Sequence, residues 1–285
     1  MTRSEFLTKY SFMAAAIMSA AVPLAIFIFM ALLGYPILTS GRLFGTLLGA
    51  WDPIQQSYGI LPMIIGTFIL AILAVAAAFP VCLGCAALVS DAAPGPVGRC
   101  LHAVVRMMTG IPTVVYGFVG IFLLVPVIRE AFGGGSGFSL LTAALMLALL
   151  VSPTMILLFC DSFGRVTHTY RQAAAALGAT TAQQFLFVVL PQARNGILAG
   201  VLLGLGRAIG DTMISLMLAG NAVAFPDHVF DSARTLTAHI ALIIAADFDS
   251  PEFRTLFLCG LTLYVLTTLL VLFVRLTMRL QGKRP

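Results

Sequence analysis

Arg207 and Asp211 stand four residues apart inside an otherwise apolar stretch, Leu202-Leu203-Gly204-Leu205-Gly206-Arg207-Ala208-Ile209-Gly210-Asp211-Thr212-Met213. On a helix that spacing sets both side chains on one face. A charge within a hydrocarbon-length segment is expensive and by default marks a pathway. A guanidinium presents a planar fork of donors that suits an oxyanion two-pronged. A carboxylate beside it would hold the fork in place and limit how tightly an anion rests. The competing reading is that the two charges neutralise each other and lock helix packing. Gly200, Gly204, Gly206 and Gly210 thin the same segment, so that other helices or a solute can come close. Thr212 joins the candidate pathway set beside the pair. A second candidate is Pro112 with Thr113 and Tyr116. Pro112 either kinks a helix whose freed carbonyl is satisfied by a hydroxyl, or the three line the same path. No Ser/His/Asp or paired-carboxylate arrangement has the context of a catalytic site, so no enzyme activity is expected of this chain alone.

Other chemistry-bearing types read as structural. Cys82 and Cys85 form a CxxC in an apolar run without a second ligand pair, which indicates packing residues rather than a metal or redox site. His228 and His239, with Asp227, Asp231, Asp247 and Asp249, read as solvated loop residues or a docking face, not as a metal set. Gly133-Gly134-Gly135-Ser136-Gly137 opens no GK[ST] helix and is a flexible connector, not a phosphate loop.

The elements that carry these residues follow from composition. The chain has 285 residues, 60% hydrophobic and 9% charged, with mean hydropathy +1.04. A soluble domain carries about a quarter charged residues. Six stretches are long and apolar enough to cross about 30 Å of hydrocarbon: approximately 11–33, 59–81, 104–128, 138–160, 196–220 and 255–275. The second apolar run continues to Ser90, as a tilted helix that extends past the bilayer and stops at Asp91-Ala92-Ala93-Pro94-Gly95-Pro96. The first run is too long for a cleavable signal, and alternating strands are not seen. Trp51 reads as an interfacial anchor.

With the N-terminus inside, eleven of the 16 Lys and Arg fall on the cytoplasmic side and four (Arg42, Arg129, Arg234, Arg254) outside, with Arg207 in a span. That predicts six spans with both termini cytoplasmic, and the net charge of +5 is then topology rather than a nucleic-acid footprint. Residues 161–195 read as a cytoplasmic helix-turn-helix. Ala173 to Leu177 form a helix that Gly178 ends, Thr180-Thr181 cap a second, and Pro191 stops it. Its apolar residues need a partner to cover them.

This loop carries a resemblance. Gln172-Ala173-Ala174, three residues, Gly178, nine residues, then Val188-Val189-Leu190-Pro191 is similar to the EAA loop of ABC importer permeases, EAA-x3-G-x9-I-x-L-P, with Gln172 where that family has Glu. Trp51-Asp52-Pro53 with Tyr58-Gly59, Ile111-Pro112-Thr113-Val114-Val115-Tyr116-Gly117, Asn195-Gly196-Ile197, and Gly204 through Met213 closing at Gly220-Asn221 resemble the phosphate-specific (Pst) permeases of the PstC type, with Asp211 where they have Glu. The resemblance implies an all-α membrane protein of the type I ABC importer permease (MetI-like) fold. It implies an N-terminal span and first periplasmic loop over 1–57, a transmembrane domain over 58–280 and a cytoplasmic tail over 281–285. It implies phosphate translocation across a bacterial cytoplasmic membrane past Arg207, Asp211 and Thr212. Gln172, Ala173, Ala174, Gly178, Leu190 and Pro191 would be the ATPase contact. Implied partners are a homologous PstA-like permease, two copies of an ATP-binding subunit that holds ATP and Mg, a periplasmic phosphate-binding protein and membrane lipid, with no nucleic acid and no cofactor in this chain. Sulfate, molybdate or phosphonate as cargo, or an ion-coupled secondary transporter, are the alternatives; the loop's spacing disfavours the latter.

Overall fold

Hydrocarbon offers no water to satisfy backbone groups, so each crossing of this apolar chain has to be a helix. The structure, a computed structural model, describes residues 3–39, 43–92, 96–132, 135–247 and 250–281. Arg42, Gly133, Gly134, Asp249, part of the stop after Ser90 (93–95) and the last four residues of the expected tail lie outside them.

In chain order, α1 (Arg3–Thr39) is followed by α2 (Leu43–Leu48) and a two-stranded ribbon, β1 (Trp51–Asp52) against β2 (Ser57–Tyr58). Then come α3 (Leu61–Ala87), α4 (Pro96–Met108), α5 (Thr113–Val119), α6 (Val125–Ala131) and α7 (Leu140–Gly164). The chain continues through α8 (His168–Ala176), α9 (Thr181–Gln184), α10 (Leu190–Gly210), α11 (Met213–Leu218), α12 (Leu236–Ile243) and α13 (Pro251–Gln281). Single π turns at Gly120–Leu124 and Phe185–Val189 weld α5 to α6 and α9 to α10.

Six helical segments are long and apolar enough to span: Thr8–Tyr35, Leu61–Ser90, Thr113–Ala131, Leu140–Gly164, Thr181–Gly210 and Pro251–Phe273. The count agrees with the sequence reading, and the second span, 30 residues and so about 45 Å long, overruns the bilayer as expected. Three boundaries differ. The third span starts at Thr113, because Pro112 adopts an extended ψ of 142° and parts α4 from α5. The fifth does not run to 220: α10 ends at Gly210, and Asp211 is extended (φ −73°, ψ 131°). Pro191 does not stop a helix. It occupies the first turn of α10, where its missing N–H removes no bond.

Lipid is as apolar as leucine, so helices associate in it through close fit. Alanines supply that fit between α3 (Ala71, Ala74, Ala78) and α7 (Ala143, Ala144, Ala148), all buried. Glycines supply it between α10 and α7. A Cβ on Gly200 would lie 2.7 Å from the Phe159 ring, and one on Gly204 2.9 Å from Met155 Sδ. A second cluster, Ile60, Met63, Leu236, Leu258 and Cys259, ties α3, α12 and α13 together, with Trp51 packed against it. The first span stands at the rim, along α13, with no residue of its apolar window buried.

Candidate functional site

The approach that Gly204 permits brings α10 against α7, and one turn further Arg207 meets that helix. Its Nη1 donates to Thr154 Oγ1 at 2.7 Å. Thr154 follows Pro153, so its hydroxyl sits where α7 already lacks one backbone donor. Arg207 is half-buried, and no described carboxylate lies within ion-pair distance of it; among the described residues the one ion pair is Arg165–Asp161, at a span end.

Asp211 is therefore not the residue that holds Arg207, as the four-residue spacing suggests. The helix on which that spacing would align them ends before Asp211. Its buried carboxylate instead accepts from Ile214 N at 2.9 Å and caps α11. Its carbonyl accepts from Thr237 Oγ1 (2.8 Å) and Ser215 Oγ (3.1 Å), and Thr235 Oγ1 bonds both Ser215 and Thr237. A buried hydroxyl cluster thus satisfies the backbone groups that the break frees, which hydrocarbon could not. Thr212 immediately precedes α11, and its carbonyl accepts from Ser215 Oγ at 3.0 Å. Sequence reasoning missed Thr154, Ser215, Thr235 and Thr237. The available signal was two hydroxyls in apolar stretches, Thr154 beside a proline and Ser215 four residues past an aspartate.

The Pro112 segment comes to the same place. Pro112 is exposed and Tyr116 buried. Tyr116 OH donates to the Met108 carbonyl (3.3 Å) at the end of α4, which also accepts from Ile111 N at 3.3 Å, so the hydroxyl ties α5 back to α4 across a break rather than a kink. Val115 N closes on Pro112 O at 3.0 Å, and Thr113 is the first residue of α5. α5 packs on α11 because Gly117 and Gly120 leave room for Met217 and Leu218. Arg207 lies in the last turn of α10, just before the break at Asp211, and α11 beyond that break packs on α5. Two interrupted helices, broken at Pro112 and Asp211, therefore meet beside one guanidinium. Such an arrangement can offer an anion directional donors without a competing carboxylate on them.

The outer loop holds a further departure. His239 is fully buried on α12, not solvated. Its ring packs edge-on to Trp51 (centroids 4.6 Å), which in turn packs on Tyr58 (5.4 Å). Trp51 thus clamps the ribbon to α12 rather than only marking a membrane edge. Burial, with Arg234 nearby, pushes the imidazole down to about 4, so it stays neutral. No group of three metal-ligating side chains occurs among the described residues.

At the other end of the bundle, α8 and α9 form the expected helix pair. Gly178 takes φ +79°, a conformation that suits glycine, and closes α8. Thr180 caps α9 in a reciprocal box with Gln183, whose Oε1 accepts from Thr180 N at 2.8 Å. Arg171 Nη2 ties α8 to the Phe163 carbonyl at 3.0 Å. Gln172 lines a hollow of about 300 Å³ with His168, Arg171 and Gln184, and Ala173 and Ala174 lie on the same helix. Leu190 and Pro191 open α10. Leu177, 89% exposed at the tip of the turn, is uncovered apolar surface.

Residues 83–284 match the family model described as binding-protein-dependent transport system inner membrane component. YqgH of Bacillus subtilis, described as a probable ABC transporter permease protein, is 35% identical over 79% of this chain and 74% of its own length. The phosphate transport system permease protein PstC of Pasteurella multocida is 32% identical over 82% of this chain and 79% of its own. In shape, the chain superimposes on one from a bacterial alginate ABC transporter in complex with its pentasaccharide-bound periplasmic protein. There the TM-score is 0.63 at 14% identity, with 98% of each chain covered, a likeness of fold.

Proposed function

This chain belongs to the family of binding-protein-dependent transport system inner membrane components, and from that premise we propose that it is the phosphate-translocating permease subunit of an ATP-driven importer. The observation that carries the reading is Arg207, held by a neutral hydroxyl with no carboxylate on its fork, beside two broken spans. A guanidinium so placed can take a phosphate oxyanion through paired donors and release it, because its own anchor is a single neutral bond. Pro112, Thr113, Tyr116, Asp211 and Thr212 shape the opening at the breaks; Asp211 does so by capping α11.

The power source is a separate chain. The α8–α9 pair, with Gln172, Ala173, Ala174 and Gly178 exposed or half-buried and Leu177 uncovered, is a surface for an ATP-binding subunit that brings ATP and Mg. The weld through Phe185–Val189 joins that surface without a gap to the helix that carries Arg207, so a push on α9 reaches the site along one rod. A periplasmic phosphate-binding protein delivers cargo on the opposite side, and a PstA-like permease completes the path, in a bacterial cytoplasmic membrane.

The reading is tested with the assembled importer in proteoliposomes holding ATP, supplied with its binding protein and labelled phosphate. ATP-dependent uptake that excess sulfate or molybdate leaves unchanged is expected. Uptake driven by a proton gradient without ATP, or displaced by sulfate or molybdate, overturns it.

A further inference from the structure

Away from Arg207, the first and last spans leave a groove of about 660 Å³ between them. Phe29 and Leu33 of α1, Ile244 just past α12, and Phe253 and Phe257 of α13 wall it, and Arg254 stands at its rim. Leu33 lies two residues before the end of the first span and Phe253 two after the start of the last, so the groove opens at one bilayer boundary. Its walls are hydrocarbon, yet its rim carries a fixed positive charge.

Among the described residues that charge has no carboxylate partner. The Arg254 side chain is exposed, and no described carboxylate pairs with it. Glu252, two residues earlier on α13, makes no ion pair with it. A guanidinium at headgroup depth beside an apolar trough matches a molecule that is phosphate at one end and acyl chain at the other. A protein helix seated there would have to cover Arg254 and bring its own carboxylate, because a guanidinium buried without one is costly. A second permease that completes the path must also reach the breaks at α5 and α11, whereas this groove belongs to α1 and α13.

We infer that the groove between α1 and α13 is a phospholipid site, with an acyl chain along Phe29, Phe253 and Phe257 and the lipid phosphate on Arg254. A lipid there fills the seam between the peripheral first span and the bundle, so that α1 stays docked. Anionic lipids such as phosphatidylglycerol bind in preference to zwitterionic ones, since their net charge is not offset within the headgroup.

The assembled transporter, exchanged into nanodiscs of phosphatidylglycerol and phosphatidylcholine and released for native mass spectrometry, is expected to retain phosphatidylglycerol. Arg254→Gln, a change on an exposed side chain, is expected to lower that retention about tenfold. Leu33→Trp, which fills the trough, is expected to expel both lipids alike. Both variants keep ATP-driven phosphate uptake through Arg207, so loss of the lipid and loss of the transport reading are separate results. Equal retention of phosphatidylglycerol by the unaltered protein and both variants overturns the site. So does efficient cross-linking of Leu33→Cys to the second permease in the assembled complex, which would make the groove a subunit contact.

Discussion

Arg207 Nη1 donates to Thr154 Oγ1 at 2.7 Å, and this bond, not Asp211, sets where the guanidinium stands. The anchor is on a different span from the arginine, so α7 and α10 must keep their register for the fork to face the opening. Thr154→Val keeps shape and removes the acceptor. A bond of this kind contributes about 1 kcal/mol, so the KM for phosphate delivered by the binding protein is expected to rise several-fold in uptake assays, while Thr154→Ser stays close to the unaltered protein.

Asp211 caps α11, and that role predicts a pattern an ion pair would not. Asp211→Asn keeps an acceptor for Ile214 N and is expected to assemble and melt close to the unaltered complex. Asp211→Ala loses the cap and is expected to destabilise it by about 1–2 kcal/mol. Thermal unfolding of the purified complex separates the two. Equal damage from both variants would point to the charge rather than the cap.

Gly66 lets α3 pass against the chain just before α12. A Cβ there would lie 2.7 Å from the Arg234 carbonyl oxygen, which is backbone and cannot swing aside. Gly66→Ala is therefore expected to cost about 1–3 kcal/mol and to loosen the Thr235–Thr237 hydroxyls that support Asp211. Lowered melting together with reduced uptake would register both effects.

His239 gives the outer loop a pH dependence with a fixed sign. The unfolded chain takes up this proton near pH 6.5 and the folded chain only near 4, where burial has pushed the imidazole. Stability is whole above about pH 6.5, declines as pH falls from there to about 4, and levels off below. The full decline is roughly 3 kcal/mol. Melting curves across this window are expected to flatten in His239→Gln, which cannot titrate.

At the other end, the Thr180–Gln183 box fixes the turn that presents Leu177. Thr180→Ala is expected to lose about 1 kcal/mol of local stability and to reduce phosphate-stimulated ATP hydrolysis by the assembled complex. Gln172→Glu, which restores a charge-assisted contact, is expected to keep or raise it.

The span count was legible because length and hydropathy decide what can cross a bilayer, and α8, Gly178 and the Thr180 cap were legible because each rests on local backbone chemistry. The break at Asp211 was not. Apolar composition runs from Val201 to Leu218 without a turn signal, and an aspartate four residues after an arginine reads equally as a partner or as a cap. Only the extended backbone at Asp211 and the hydroxyls of Thr235 and Thr237, brought back at the start of α12, show that the helix is open there. His239 was misread for a similar reason: a histidine among aspartates looks solvated until α12 is seen to fold it under Trp51. Pro112 was legible as an interruption, but its outcome, a span that begins at Thr113, depends on Tyr116 closing the gap.

The central claim is that Arg207 contacts the transported anion, and uptake of labelled phosphate by the assembled Arg207→Ala importer in ATP-loaded proteoliposomes tests it most directly. The account predicts that the variant complex assembles and hydrolyses ATP while phosphate uptake falls to background, with Arg207→Lys intermediate because a point charge lacks the planar fork. Uptake close to that of the unaltered protein by an assembled Arg207→Ala complex would contradict it.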